Sequence, residues 1–173
     1  MKRVFVIIIS LFVISNINLC AQSEWLGKWQ TAPMTEGTEK IIMEYFFQND
    51  SVMSMTFFTD NQIAGVGRCV SSVSVDGRYD KTGPLFFVSL NQKSLSVNLL
   101  KFVIYDKNSS VSEGQIIKQI ENTAKPMFAN FEDVRMIYVT RDSPDTISFI
   151  LGDENNAMDL ELHRPTTTIE MLL

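Results

Sequence analysis

Histidine and cysteine are scarce in this chain of 173 residues, which has one histidine, His163, and two cysteines, Cys20 and Cys69. A transition-metal site draws on several imidazole or thiolate ligands, and His163 has no second histidine to join it. No zinc spacing, nucleophile elbow, phosphate-binding loop or dinucleotide fingerprint occurs either. The sequence therefore predicts no metal, no cofactor and no enzyme. Lys and Arg number 15 against 20 Asp and Glu, a formal charge of −5. An acidic chain has no electrostatic attraction to nucleic acid or to an anionic membrane surface.

One apolar run stands out. Lys2 and Arg3 precede Val4 to Ile14, broken only by Ser10, and a polar stretch then leads to Leu19-Cys20-Ala21. That layout is a secretory signal peptide, and the run falls short of the roughly 20 residues a membrane-spanning helix needs. The expected boundaries are a signal peptide over 1–21, a β-barrel domain over 22–165 and a C-terminal tail over 166–173. The protein is then periplasmic or extracellular, without a transmembrane segment once the signal is gone. A competing reading makes Cys20 a lipid-bearing first residue. Leu19 is bulky where that pattern wants a small side chain, so soluble export is preferred.

Removal of the signal leaves 173 less 21, or 152 residues, and takes the charge to −7 by loss of Lys2 and Arg3. That is one domain's length, with Cys69 alone, so an apolar core must hold the fold without a disulfide.

The mature chain opens on Trp25-Leu-Gly-Lys-Trp29 and then turns period two. Met43, Tyr45 and Phe47 alternate with Ile42, Glu44 and Phe46; Asn49-Asp50 turns the chain; Met53, Met55 and Phe57 alternate on the return. This predicts a β-hairpin with one strongly apolar face. Its other face, with Ile42, Phe46, Val52 and Phe58, is either covered or a sticky surface. Asn61 to Gly67 reads as a loop and Arg68 to Tyr79 as extended chain. Leu85–Leu90 and Leu95–Leu99 read as a second hairpin around Asn91–Ser94, and Lys101–Tyr105 as a further strand.

Ser112 to Phe131 breaks the rhythm. Ile116, Ile120, Ala124, Met127, Phe128 and Phe131 recur at helical spacing, with Pro126 expected to kink or end the helix. Its polar face, with Lys118, Glu121 and Lys125, is not strongly basic, so packing on the sheet is expected rather than membrane binding. Three strands close the chain, with Val134, Met136 and Tyr138, then Ile147, Phe149 and Leu151, then Met158, Leu160 and Leu162 sharing parities. The Asp153–Asn156 stretch between the last two reads as a hairpin turn, lacking the spacing of a calcium loop. The fold class is mainly β: an antiparallel up-and-down barrel of about eight to ten strands with one helix inserted before the last strands.

Trp25 to Trp29, Asp76-Gly77-Arg78-Tyr79 and Leu160-Glu161-Leu162-His163-Arg164 resemble the lipocalin-like domains, calycin-type barrels, secreted by Gram-negative gut bacteria. The resemblance implies that Trp29 closes the barrel floor and that Arg164 lies across it, within about 6 Å by cation–π contact. One departure is the helix, which in lipocalins follows the barrel. Asp50-Ser51-Val52 and Asp145-Thr146-Ile147 look like the O-glycosylation acceptor of some of these bacteria.

Met43, Tyr45, Phe47, Met53, Met55 and Phe57 are the candidate ligand-binding residues of the barrel interior, large and partly flexible, suited to a small hydrophobic ligand. They equally suit a filled small barrel. In that alternative the protein is a cell-envelope binding module or inhibitor that meets a protein partner through Ile42, Phe46 and Phe58. His163 falls on the solvent parity of its strand, and Cys69 on an inward parity as a small core residue. The exported chain is expected to begin at Gln22. Intact mass and amino-terminal sequencing of protein recovered from periplasm or medium check this, and a chain starting at a lipidated Cys20 overturns it.

Overall fold

The computed structural model describes residues 24–63, 66–105, 110–129, 134–152 and 157–165. The expected signal peptide with Cys20, the tail 166–173, the Asp153–Asn156 turn and Phe131 lie outside those residues.

The fold grows from one hairpin. Strands β3 (Glu39–Phe47) and β4 (Val52–Ile63) pair antiparallel, with Met43 opposite Phe57, Tyr45 opposite Met55 and Phe47 opposite Met53. Asn49 fixes the turn: its Oδ1 accepts from the backbone N–H groups of Ser51 at 3.0 Å and Val52 at 2.9 Å. Such an Asx turn supplies with one short side chain what a reversal otherwise needs from backbone. Strand alternation then puts all six side chains on one face, where Phe47 and Met53 are fully buried.

Strand β5 (Gly67–Thr82) is the spine of the sheet, 16 residues long and paired with β4 from Gly67 to Arg78. On its other edge it has two partners in succession. Strand β6 (Leu85–Leu90) pairs with Gly77–Thr82, and β7 (Ser96–Ile104) pairs with Gly67–Ser74. Both run antiparallel to β5, so the chain between them does not reverse. The second hairpin expected around Asn91–Ser94 is thus corrected: Gln92–Ser94 form a 3-10 turn that leaves the β5 edge and rejoins it. Asn91 caps the turn through Lys93 N–H, and Ser94 Oγ accepts from Asp76 N–H at 2.8 Å, so the excursion is tied to the spine it skips.

The same device occurs at the start of the chain. Strands β1 (Gly27–Gln30) and β2 (Met34–Glu36) follow one another along the β3 edge, and Thr31 bridges the break by donating from its N–H to Met43 O at 2.9 Å.

The sheet continues from β6 to β8 (Val134–Ser143), β9 (Thr146–Leu151) and β10 (Met158–His163). Strand β1 pairs with β3 on one side and, at Gln30 opposite His163, with β10 on the other. That contact closes an eight-stranded antiparallel barrel, with β2 and β7 as two further strands. Closure removes the open edges that a flat sheet would expose.

Helix α1 (Glu113–Ala129) lies between β7 and β8 in sequence and packs on β7. Ser112 Oγ accepts from Gln115 N–H, and Gln115 Oε1 accepts from Ser112 N–H at 2.8 Å, a reciprocal cap that satisfies two amino-terminal donors. Ile116, Ala124 and Phe128 are buried, with Ile120 half-buried against the core. The helix runs on through Pro126 to Ala129, past where the sequence suggested a break. Among the described residues no helix is long and apolar enough to cross a membrane.

Close approach of β7 to β5 depends on Gly67, because a Cβ there would fall on the Val103 carbonyl. Gly114, in the first turn of α1, has open space around it. Gly67→Ala is expected to cost about 2 to 4 kcal/mol by forcing the strands apart. Gly114→Ala should raise stability by about 0.5 kcal/mol. Urea unfolding of the two variants checks the pair.

Candidate ligand site in the barrel

The expected ligand-binding residues form three successive cross-strand pairs on one wall of the barrel. Each pair meets a different environment.

The lowest pair, Phe47 and Met53, is sealed into the floor. Phe47 has ring centroids of Tyr79 at 5.4 Å and Phe149 at 6.2 Å, and Phe86 lies 5.4 Å from both of those rings. Offset and edge contacts of this kind add to what area burial supplies. Below the rings sits Trp29, completely buried, its Nε1–H donating to Trp25 O at 2.6 Å. Trp25 in turn donates to the Tyr79 hydroxyl at 3.1 Å, and Tyr79 donates to Asn49 O at 2.6 Å. Lys81 Nζ stands 3.7 Å from the Trp25 ring centroid.

Arg164 Cζ stands 3.8 Å from the Trp29 ring centroid, with Nη1 donating to the carbonyls of Leu26 at 3.0 Å and Lys28 at 3.3 Å. The guanidinium occupies the space a Cβ on Gly27 would take, and Gly27 holds a φ of 103° that other residues rarely adopt. The turn at Gly27 and the stacking of Arg164 on Trp29 are therefore one arrangement.

The middle pair, Tyr45 and Met55, lines an apolar cavity of about 20 Å³ with Val88, Val134, Met136 and Leu151. Burial pushes the Tyr45 hydroxyl up to about 12, so it stays protonated through the physiological range. The four residues of the opposite wall come from β6, β8 and β9. Their inward parity is readable from the Val134–Met136 and Phe149–Leu151 alternations, but which strands face Tyr45 is a matter of barrel closure that no local pattern encodes.

The upper pair, Met43 and Phe57, is only half-buried, and Phe57 meets Phe128 of α1 edge-on at 5.4 Å. The helix is thus the ceiling of the barrel.

Other residues singled out by sequence lie elsewhere. Ile42 and Phe58, on the face expected to be either covered or a sticky surface, are buried with Val70 in a small cluster of their own, so the partner-binding role given to them in the alternative reading has no exposed surface there. The register explains it: Ile42 is directly opposite Phe58, and the neighbouring Asp60 and Arg68 form a two-pronged ion pair at 2.8 Å on the same face. That hydrogen bond holds the Asp60 carboxyl below its usual range. Lys28 Nζ lies 5.7 Å from the Phe46 ring centroid and 3.0 Å from Glu44.

Cys69 is buried, and burial followed by the nearby Asp60 charge pushes its thiol up, away from a reactive thiolate. His163 is outside the barrel, between Thr146 Oγ1 at 3.3 Å and Glu161 Oε1 at 3.0 Å. Thr146 thus faces His163, whereas Ser51 is exposed beside Asn49. Among the described residues no group of three or more His, Cys, Asp and Glu side chains is placed to hold a metal ion.

A scan against models of known protein families finds no match to this chain, and a search of curated proteins finds none.

Arg164→Ala is expected to cost about 2 to 4 kcal/mol, combining the stacked cation with two backbone acceptors. Arg164→Lys should recover less than half, because an ammonium cannot span both carbonyls while lying flat on the indole. Urea unfolding followed by tryptophan fluorescence measures both.

Proposed function

We propose that this is an exported, lipocalin-like binding protein that takes one small hydrophobic ligand in the barrel chamber between the aromatic floor and α1. The observation that supports it most directly is the apolar cavity at the Tyr45–Met55 pair, inside the barrel rather than on its surface. About 20 Å³ is room for roughly one water-sized group, far below the roughly 300 Å³ of an ordinary ligand pocket. Occupation therefore requires the lining to move. Met55 and Met136 on the walls are unbranched thioethers that adapt their shape at low cost, and Met43 and Phe57 at the top are already half-exposed. The floor, by contrast, is rigid, so the ceiling formed by α1 is the side that yields.

A second reading, a protein-binding module with a filled barrel, is favoured by one observation. Leu100, Val103, Ile104 and Tyr105, on or just beyond β7, are exposed, and Ile137 and Val139 are exposed on β8. Large apolar side chains left exposed in this number are candidates for a partner site.

Native mass spectrometry of the exported protein, with displacement of an environment-sensitive lipid probe, separates the two. Ligand binding predicts a mass adduct lost on unfolding, and probe displacement that Met136→Trp abolishes by filling the chamber while the variant still unfolds cooperatively. Absence of both adduct and probe binding in the folded wild type overturns the proposal.

A further inference from the structure

The outer wall of the barrel carries an apolar row across three adjoining strands. Leu85 of β6 pairs with Ile137 of β8, and Ile137 pairs with Ile150 of β9. Their chain neighbours Phe86, Met136 and Phe149 are buried, so strand alternation turns Leu85, Ile137 and Ile150 outward together. Directly opposed side chains lie about 5 Å apart, which makes the row continuous. Ile137 is 37% exposed and Val139, just beyond it on β8, is 53% exposed, whereas Leu85, Phe87 and Ile150 are half-buried.

Charges flank this row in a pattern that complements itself. Ile150 also pairs with Asp159 of β10, and β8 and β10 run in the same direction because both are antiparallel to β9. Arg135 stands two residues before Ile137 on β8, and Glu161 stands two residues after Asp159 on β10. The two therefore mark the ends of a diagonal centred on Ile150. Both are exposed, and so is Asp159, which adds a second negative charge at the β10 end. Glu161 Oε1 also meets His163 Nε2 at 3.0 Å, with 63% of the glutamate side chain exposed and within a partner's reach. A two-fold axis in the contact plane at Ile150, perpendicular to the diagonal, exchanges its ends. Each Arg135 then meets the other copy's Glu161, and the apolar rows are covered between two identical ion pairs.

We infer that the protein binds a second copy of itself through this face, as a two-fold dimer centred on Ile150. A second copy is the occupant whose charges already match, since one surface supplies both the cation and the anions. The inference is independent of whether the barrel takes a ligand, because the row lies on the outside of the wall that Met136 and Leu151 line from within. The contact is narrow and lies on the convex side of the barrel, so the dimer is a weak one that dissociates at micromolar concentrations.

Sedimentation velocity at neutral pH, from about 5 to about 500 µM protein, tests this over the range in which small interfaces form. The wild type is expected to pass from monomer to dimer. Ile137→Lys, at an exposed position, should stay monomeric throughout while unfolding as the wild type does. Arg135→Glu and Glu161→Arg should each weaken association about tenfold or more, because each reversal sets like charges opposite one another twice. An equimolar mixture of these two variants should regain the dimer, since both pairs then join opposite charges. A wild type that is monomeric at about 500 µM overturns the inference, whether or not the face captures an unlike protein. So does a dimer that survives Ile137→Lys, or a mixture of the reversed variants that associates no better than either alone. Should one kind of variant fail to fold, the other decides.

Discussion

Arg164 lies where the sheet closes on itself, and that seam is thin. On the β3 side β1 is paired at four residues, from Gly27 to Gln30, whereas on the β10 side the ladder is reduced to Gln30 opposite His163. The carbonyls of Leu26 and Lys28 would otherwise face the gap without ladder partners, and backbone acceptors in such a place need satisfaction. Arg164 supplies it, donating to both from one rigid fork while its plane rests on the Trp29 indole. The Gly27 backbone makes room for the fork, and the buried indole below anchors the aromatic floor. Closure, floor and amino-terminal turn are one interdependent unit, so the barrel cannot be opened at this end without dismantling its largest buried cluster.

The other end is built differently. Because β5 is longer than either partner on its second edge, two strands share it, and the chain leaves that edge at Asn91–Leu95 between them. Strand β6 continues the barrel to β8, while β7 stays on β5 alone among the described strands. The wall therefore splits above the Val88–Val134 pairing. Helix α1 contacts β7 and brings Phe128 to Phe57, so a helix rather than hydrogen-bonded strand covers the upper barrel. Side-chain packing along one stripe is easier to loosen than a ladder of backbone hydrogen bonds, and elements that move are drawn from the less tightly held parts of a fold.

The sequence made the β3–β4 wall legible because both requirements coincide there: strict alternation of large apolar residues and an Asn turn that fixes the register. All six interior residues of that wall could be named from it, and the Trp29–Arg164 contact followed from a resemblance resting on few residues. The β6–β7 hairpin was misread for a physical reason. Asn91-Gln92-Lys93-Ser94 has the composition of a reversal, but composition reports only that the chain leaves extended geometry, not whether it returns in the opposite direction. What decided the outcome was the spare length of β5, more than ten residues earlier. The outer cluster of Ile42, Phe58 and Val70 was obscured in the same way. Each residue looks misplaced within its own strand, and only the cross-strand register brings the three together.

Floor and upper barrel also differ in what polarity they tolerate. Every polar group at the floor is engaged: the two indole N–H groups, the Tyr79 hydroxyl and the Arg164 guanidinium all donate to named oxygens. Such a set resists rearrangement, because moving one donor strands another. One level higher, Tyr45 is surrounded by thioether and aliphatic groups that exchange one packing for another without breaking hydrogen bonds. Rigidity below and compliance above place any adaptation at the level of Tyr45.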